Sequence, residues 1–147
     1  MPNDMIFYGK RVCFIGAHPD DIEIGCGAMI AQINSQAEVL CITLSDNQKN
    51  PDLKNLIEEH YASMEILGVK RDRIQVKNFE TRRFPHYRQE ILEYLFEINR
   101  TFKPEIVFVP KGMFITSPTF GSSELEENAY VKIDRPGGTR RIGIIEK

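Results

Sequence analysis

Residues 11–28 read RVCFIGAHPDDIEIGCGA, and this stretch decides the fold class. Its first part, Arg11 to Ala17, is an almost unbroken apolar run. It is too short for a lone helix and gives way to Gly16 and Pro19, so it suits a strand covered on both faces. The second part, from Ile22 to Asn34, predicts a helix with Ile24, Ala28, Ile30, Ala31 and Ile33 spread nearly all round it. A helix of that kind should be well buried. Gly25 and Gly27 cost helix propensity but would let the backbone lie close to the sheet or to a ligand.

The pattern repeats outward. Ala37 to Leu44 (AEVLCITL) predicts a second buried strand. Asn50 suits an N-cap and Pro51 a first helical position, after which Leu53, Leu56, Ile57, Tyr61, Met64 and Leu67 recur at helical spacing and Gly68 supplies the stop. Ile74 to Phe79 predicts a short strand. A third helix is predicted from about Pro85 to Thr101, with Tyr87, Ile91, Tyr94, Leu95, Ile98 and Phe102 on one face. Pro104 ends it, and Ile106 to Val109 predicts a fourth strand. Strand and helix alternating with short connections means an α/β fold, a three-layer sandwich around a mainly parallel sheet. Ligands bind such sheets beyond the carboxyl ends of the strands, where residues 17–21 lie. Residues 1–110 therefore read as one α/β domain. Residues 111–147 read as an atypical tail: either a hairpin pairing Tyr130–Ile133 with Arg141–Ile145, or a disordered segment.

Ala17-His18-Pro19-Asp20-Asp21 carries the chemistry. Imidazole nitrogen and carboxylate oxygen are the ligand set of catalytic zinc and related divalent ions. Pro19 stiffens the turn, so that His18 and Asp21 can converge on one ion while Asp20 points elsewhere, as a base toward the water. The plainer alternative is a strand-to-helix turn in which Asp20 or Asp21 caps the helix. Glu23 either stands near the site or merely favours the helix start. His60 reads as a packing or surface residue, and His86 as a helix-opening residue outside the site.

Residues 16–28, GAHPDDIEIGCGA, resemble the N-terminal motif of the LmbE-like, or PIG-L, N-acetylglucosaminyl deacetylases. The likeness continues more loosely through Ala62–Val69, Arg88–Leu92 and Lys103–Pro110, covering about residues 11–110. It implies a Rossmann-like fold and a hydrolase that removes an acetyl group from an N-acetylated amino sugar with a divalent ion, usually Zn2+. It implies His18 and Asp21 as metal ligands and Asp20 as general base. The same resemblance implies a second motif after the fourth strand, of the form His-x-Asp-His, that supplies a third ligand and an oxyanion donor. Here residues 111–121 read KGMFITSPTFG, without His or acidic residue. Two ligands would hold zinc weakly, and a missing oxyanion donor is worth on the order of 3 kcal/mol in the barrier. A shifted reading frame near residue 110 would account for the departure. The alternatives to the enzyme reading are therefore a truncated or frame-altered member with little or no activity, and a non-catalytic α/β binding module.

The remaining features bound the reading. Ser45 and Asp46, just past the second strand, are candidates to line the same pocket. Arg82 and Arg83 are candidates to meet an anionic sugar, although a solvated surface is the commoner role of such pairs. Nineteen basic against twenty-one acidic side chains, a net charge of −2, give no support for nucleic acid as partner. A small-molecule amino sugar is the expected ligand. No apolar run approaches the ~18 residues of a membrane span, and no signal peptide is evident, so a cytoplasmic location is expected. Cys13, Cys26 and Cys41 lack any Cys-x-x-Cys spacing and read as reduced core thiols. An open edge at the fourth strand would favour association with another copy. The glycines do not follow Gly-x-Gly-x-x-Gly, so a dinucleotide site is not expected.

Overall fold

A computed structural model describes residues 6–47, 50–110 and 141–145. The elements run β1 (Arg11–Gly16), α1 (Asp21–Ile33), β2 (Glu38–Thr43), α2 (Leu56–Ile66), β3 (Ile74–Val76), α3 (Arg88–Thr101), β4 (Ile106–Pro110) and β5 (Arg141–Ile145). They form one sheet of order β3-β2-β1-β4-β5 in which every neighbouring pair is parallel. The α/β three-layer expectation is met.

The central strand shows why the chain folds this way. In β1, Val12 and Phe14 face one core and Cys13 and Ile15 the other, all of them almost fully buried. Val12 and Phe14 pack with Ile22, Cys26, Ile30 and Ile33 of α1 and with Met64 of α2. Cys13 and Ile15 pack with Ile91, Leu92 and Ile98 of α3. Burying each such aliphatic or aromatic side chain contributes about 1.5–3 kcal/mol. The chain moves outward from β1 through β2 to β3, then returns to the other side of β1 as β4. That reversal places a crevice at the carboxyl ends of β1 and β4.

Several expectations are corrected. The helix α1 is buried on one side only: Ile24 is 66% exposed, and Ala28 and Ala31 are also exposed. Gly27 does not serve a close approach, since an added Cβ would meet Leu67 at an ordinary 3.6 Å. Asn50 and Pro51 do cap and open a helical turn, with Asn50 Oδ1 accepting from Asp52 N at 3.1 Å, but it is a 3-10 turn over Pro51–Leu53. The α-helix begins only at Leu56, and Leu53 lies outside its buried face. Gly68 adopts φ 93° and stops α2 as expected, its N–H donating to Glu65 O at 3.0 Å. Residues 83–87 form turns closed by His86 N to Arg83 O and Tyr87 N to Phe84 O, so α3 starts at Arg88 rather than Pro85. β5, expected in a hairpin or a disordered tail, instead lies parallel to β4, from Ile106 beside Arg141 to Pro110 beside Ile145. The fourth strand therefore has a neighbour where an open edge was expected. The proposed hairpin partner, residues 130–133, lies outside the described residues. Among the described residues no helix is long and apolar enough to cross a membrane. The three cysteines are buried and unbonded, and burial pushes the Cys26 thiol up to about 11.

A buried polar network ties three elements together below the crevice. His60 of α2 is 2% exposed. Its Nδ1 lies 3.0 Å from Glu23 Oε2 of α1 and its Nε2 lies 3.1 Å from Thr43 Oγ1, at the end of β2. Ser63 Oγ donates to the same Glu23 oxygen at 3.0 Å. Of the two readings of His60, the packing one holds and the surface one does not, and its buried ring is held by polar contacts. Burial acts to raise the Glu23 carboxyl; the hydrogen bond and charge of His60, with the Ser63 hydroxyl and a backbone amide, outweigh it and hold the group below its ordinary range.

This packing has consequences for stability. A Cβ on Gly16 would stand 3.0 Å from Ile22 Cγ1 and 3.2 Å from Asp21 Cβ, so Gly16→Ala should cost about 1–3 kcal/mol in urea unfolding. Gly27→Ala, with room for its methyl group, should be neutral or stabilising by about 0.5–1 kcal/mol; equal losses in the two variants would contradict the packing described. His60→Ala should cost on the order of 3 kcal/mol, because it removes a buried ring and leaves the partly buried Glu23 carboxylate with only the Ser63 hydroxyl as side-chain partner. Since the folded Glu23 value lies below the ordinary 4.5, its contribution is present above that pH and is lost as pH falls through the folded value. The stability gap between wild type and Glu23→Gln should accordingly shrink on acidification below 4.5, and a gap that widens would overturn the assignment.

Candidate metal centre

At the carboxyl end of β1 the chain must turn into α1 within four residues. Asp21 makes that turn. Its Oδ2 accepts from Ala17 N and from His18 N, each at 3.0 Å, while its own N–H donates to His18 O at 3.3 Å. The carboxylate is 3% exposed and sits at the positive end of α1. Gly16 leaves no space for a side chain beneath it.

The helix-cap alternative takes a different form from the one expected. Asp20 stands at the N-cap position of α1, yet its side chain makes no capping hydrogen bond. Asp21 caps backward, holding amides of the preceding loop rather than those of its own helix. Asp20 is exposed and adopts φ 90°, ψ −26°, a left-handed conformation that side-chain-bearing residues rarely take. Such strain is a recurrent mark of sites whose geometry serves chemistry.

His18 lies half-buried beside this turn, its Nδ1 3.7 Å from Asp21 Oδ2 and its ring stacked on Phe84 with centroids 5.9 Å apart. Its Nε2 is buried and has no hydrogen-bond partner among the described residues. Buried ring nitrogens are nearly always satisfied, so this atom fits a ligand to a metal ion. The structure thus brings His18 and Asp21 together, with Asp20 next to them on a separate backbone course. Among the described residues no group of three His, Cys, Asp or Glu side chains could hold a metal ion. The stretch expected to carry the second motif, 111–121, lies outside the described residues. His86 is exposed and meets Tyr87 edge-on.

The weaker candidates divide. Ser45, Asp46 and Arg82 line one cavity of about 640 Å³ together with Asn47, Phe79 and Thr81. Ser45 N donates to Ala17 O at 2.9 Å, which fastens this cavity to the metal motif, and Ser45 Oγ lies 2.9 Å from Thr81 Oγ1. Arg83 stands outside the cavity lining and pairs with Glu80 at 3.6 Å. Asn47 and Thr81 are cavity residues that no sequence motif marks. The available signal was position, because both stand in loops at the carboxyl ends of β2 and β3.

Comparison with known proteins fits this geometry. A profile of the family described as PIG-L, GlcNAc-PI de-N-acetylase, matches residues 13–115. The diacetylchitobiose deacetylase of Thermococcus kodakarensis is 32% identical over 112 residues, covering 69% of this chain and 40% of that protein. The uncharacterized deacetylase YaiS of Escherichia coli is 35% identical over 60 residues, covering 41% of this chain and 32% of that protein. Among solved structures, the N,N'-diacetylchitobiose deacetylase from Pyrococcus horikoshii, complexed with its inhibitor MPG, superposes with a TM-score of 0.60 at 28% identity, covering 70% of this chain and 41% of that one. The conserved protein TT1542 from Thermus thermophilus shares the fold, with a TM-score of 0.56 at 21% identity and coverages of 71% and 48%. The chain spans less than half the length of each of these proteins. With a matched span that runs from β1 through the motif turn to β4, the chain belongs to the PIG-L family.

Proposed function

We propose that this chain is a zinc-dependent N-deacetylase that hydrolyses the acetamido group of an N-acetylated amino sugar. The observation that carries the reading is the His18 ring at the carboxyl end of the central strand, whose Nδ1 lies 3.7 Å from Asp21 Oδ2 and whose buried Nε2 has no hydrogen-bond partner among the described residues. The diacetylchitobiose deacetylases it resembles support an N-acetylated sugar as substrate class.

His18 and Asp21 would hold the ion. When bound, it would supply Lewis acidity toward the amide carbonyl and bring the pKa of water toward ~7. Asp20, distinct from the carboxylate that fastens the turn, takes a proton from water as that water adds to the carbonyl carbon. It returns the proton to nitrogen as the C–N bond breaks, giving acetate and a free amine. The helix start beneath Asp20 fixes its backbone, Ile24 N donating to Asp20 O at 2.9 Å.

A second reading has its own support. Residues 111–121 carry no His or acidic side chain, which favours a family member that binds metal weakly and has little activity. Metal content and turnover separate the two. After equilibrium dialysis against zinc, wild type should retain about one ion per chain, as expected of a single catalytic site, and His18→Ala and Asp21→Ala should retain none. Wild-type retention no greater than that of the variants would end the zinc reading. Asp20→Asn should keep the ion and lose hydrolysis of an N-acetylglucosaminide by about 10²–10⁴-fold. Metal-loaded wild type with turnover equal to Asp20→Asn would select the low-activity reading.

A further inference from the structure

The His18 ring lacks the support that a metal-binding imidazole ordinarily has. Such a ring usually donates its other N–H to a carboxylate or a carbonyl, which fixes its orientation. Here Nδ1 stands 3.7 Å from Asp21 Oδ2, beyond hydrogen-bond range, and Nε2 has no partner among the described residues. What the ring does meet is Phe84. The two rings stack with centroids 5.9 Å apart and planes 21° from parallel.

Phe84 is itself held from several sides. It is half-buried and packs on the core that includes Ile15, Leu44 and Val109. Its carbonyl accepts from Tyr87 N at 3.0 Å, and Tyr87 rests against Phe79 with ring centroids 5.8 Å apart. Three residues before Phe84, Thr81 Oγ1 lies 2.9 Å from Ser45 Oγ. Ser45 N in turn donates to Ala17 O at 2.9 Å. A closed circuit therefore runs from the residue before His18, through the segments that follow β2 and β3, and back to the face of the His18 ring.

We propose that Phe84 is a positioning residue of the candidate metal centre: its ring, in place of a hydrogen bond, holds the His18 imidazole in one orientation. The inference rests on the reading of His18 as a zinc ligand, and it adds a residue that the His-Pro-Asp-Asp turn does not contain. The role requires a flat ring. Stacked faces resist rotation of the imidazole, whereas an aliphatic side chain fills space without favouring one plane.

Two variants test it. Phe84→Leu keeps apolar bulk against the core and removes the ring, and Phe84→Tyr keeps the ring. In zinc-free protein, three-bond couplings of the His18 side chain should report a single rotamer in wild type and Phe84→Tyr, and averaging between rotamers in Phe84→Leu. The His60 ring signals, which report the packing of α1 against α2, should stay in place in both variants. Zinc affinity, measured by competition with a chelator, should fall about tenfold or more in Phe84→Leu, as on loss of a group that orients a metal ligand, and stay close to wild type in Phe84→Tyr. Equal zinc affinity in wild type and Phe84→Leu overturns the proposal, as does a loss in Phe84→Tyr as large as in Phe84→Leu. A single His18 rotamer that persists in Phe84→Leu overturns it too. A wild type that binds no zinc ends the zinc reading instead, and the zinc-free couplings then decide by themselves whether Phe84 places the ring.

Discussion

The two hydrogen bonds from Ala17 N and His18 N to Asp21 Oδ2 are the contact on which the site depends. A strand buried on both faces must release its chain into a helix that returns along the sheet, and only Ala17 to Asp20 are available for the turn. Loop amides buried there would cost free energy without acceptors. A carboxylate at the helix start supplies one, and charge makes the bonds stronger than neutral ones. Gly16 lets Asp21 and Ile22 close over the strand end, and Asp20 is forced into a left-handed backbone course. The same residue that closes the fold is thereby held next to His18, so folding and site assembly are one event.

Around that turn, the cores on the two sheet faces hold β1 from opposite sides. Val12 and Phe14 lock it to α1 and α2, Cys13 and Ile15 to α3, and Phe14 stacks on Phe108 of β4 with centroids 4.8 Å apart. The Glu23–His60–Thr43 network then fixes the first turn of α1 against α2 and the end of β2. A turn with three such supports can carry a strained residue such as Asp20, because the surrounding structure over-determines its conformation.

Much of this was legible in the sequence, for physical reasons. Apolar runs marked β1, β2 and β4, with Gly16 and Pro19 closing the first and Pro104 and Pro110 flanking the last, and a residue-by-residue alternation between two cores is the signature of a doubly covered strand. The His-Pro-Asp-Asp turn was legible because few side chains bring nitrogen and oxygen ligands to one strand end. The misreadings arose where tertiary contacts decide. Asn50 and Pro51 are good caps, but nothing local distinguishes a 3-10 turn from the start of α2. Apolar residues on α1 did not reveal that Ile24 faces outward, since single exposed apolar side chains are common. His60 looked ordinary because its partners, Glu23 and Thr43, are 37 and 17 residues away. The parallel seat of β5 beside β4 could not be read from alternation in residues 141–145, which is equally compatible with a hairpin.

The central claim is that His18 Nε2 is a metal ligand. The imidazole ¹⁵N spectrum of the labelled chain, recorded through a zinc titration, tests it most directly. On this account the Nε2 signal of His18 moves on zinc addition to the position of a coordinated nitrogen, while the ring signals of His60, held by Glu23 and Thr43, stay in place. A His18 Nε2 signal that does not change with zinc in excess would contradict it.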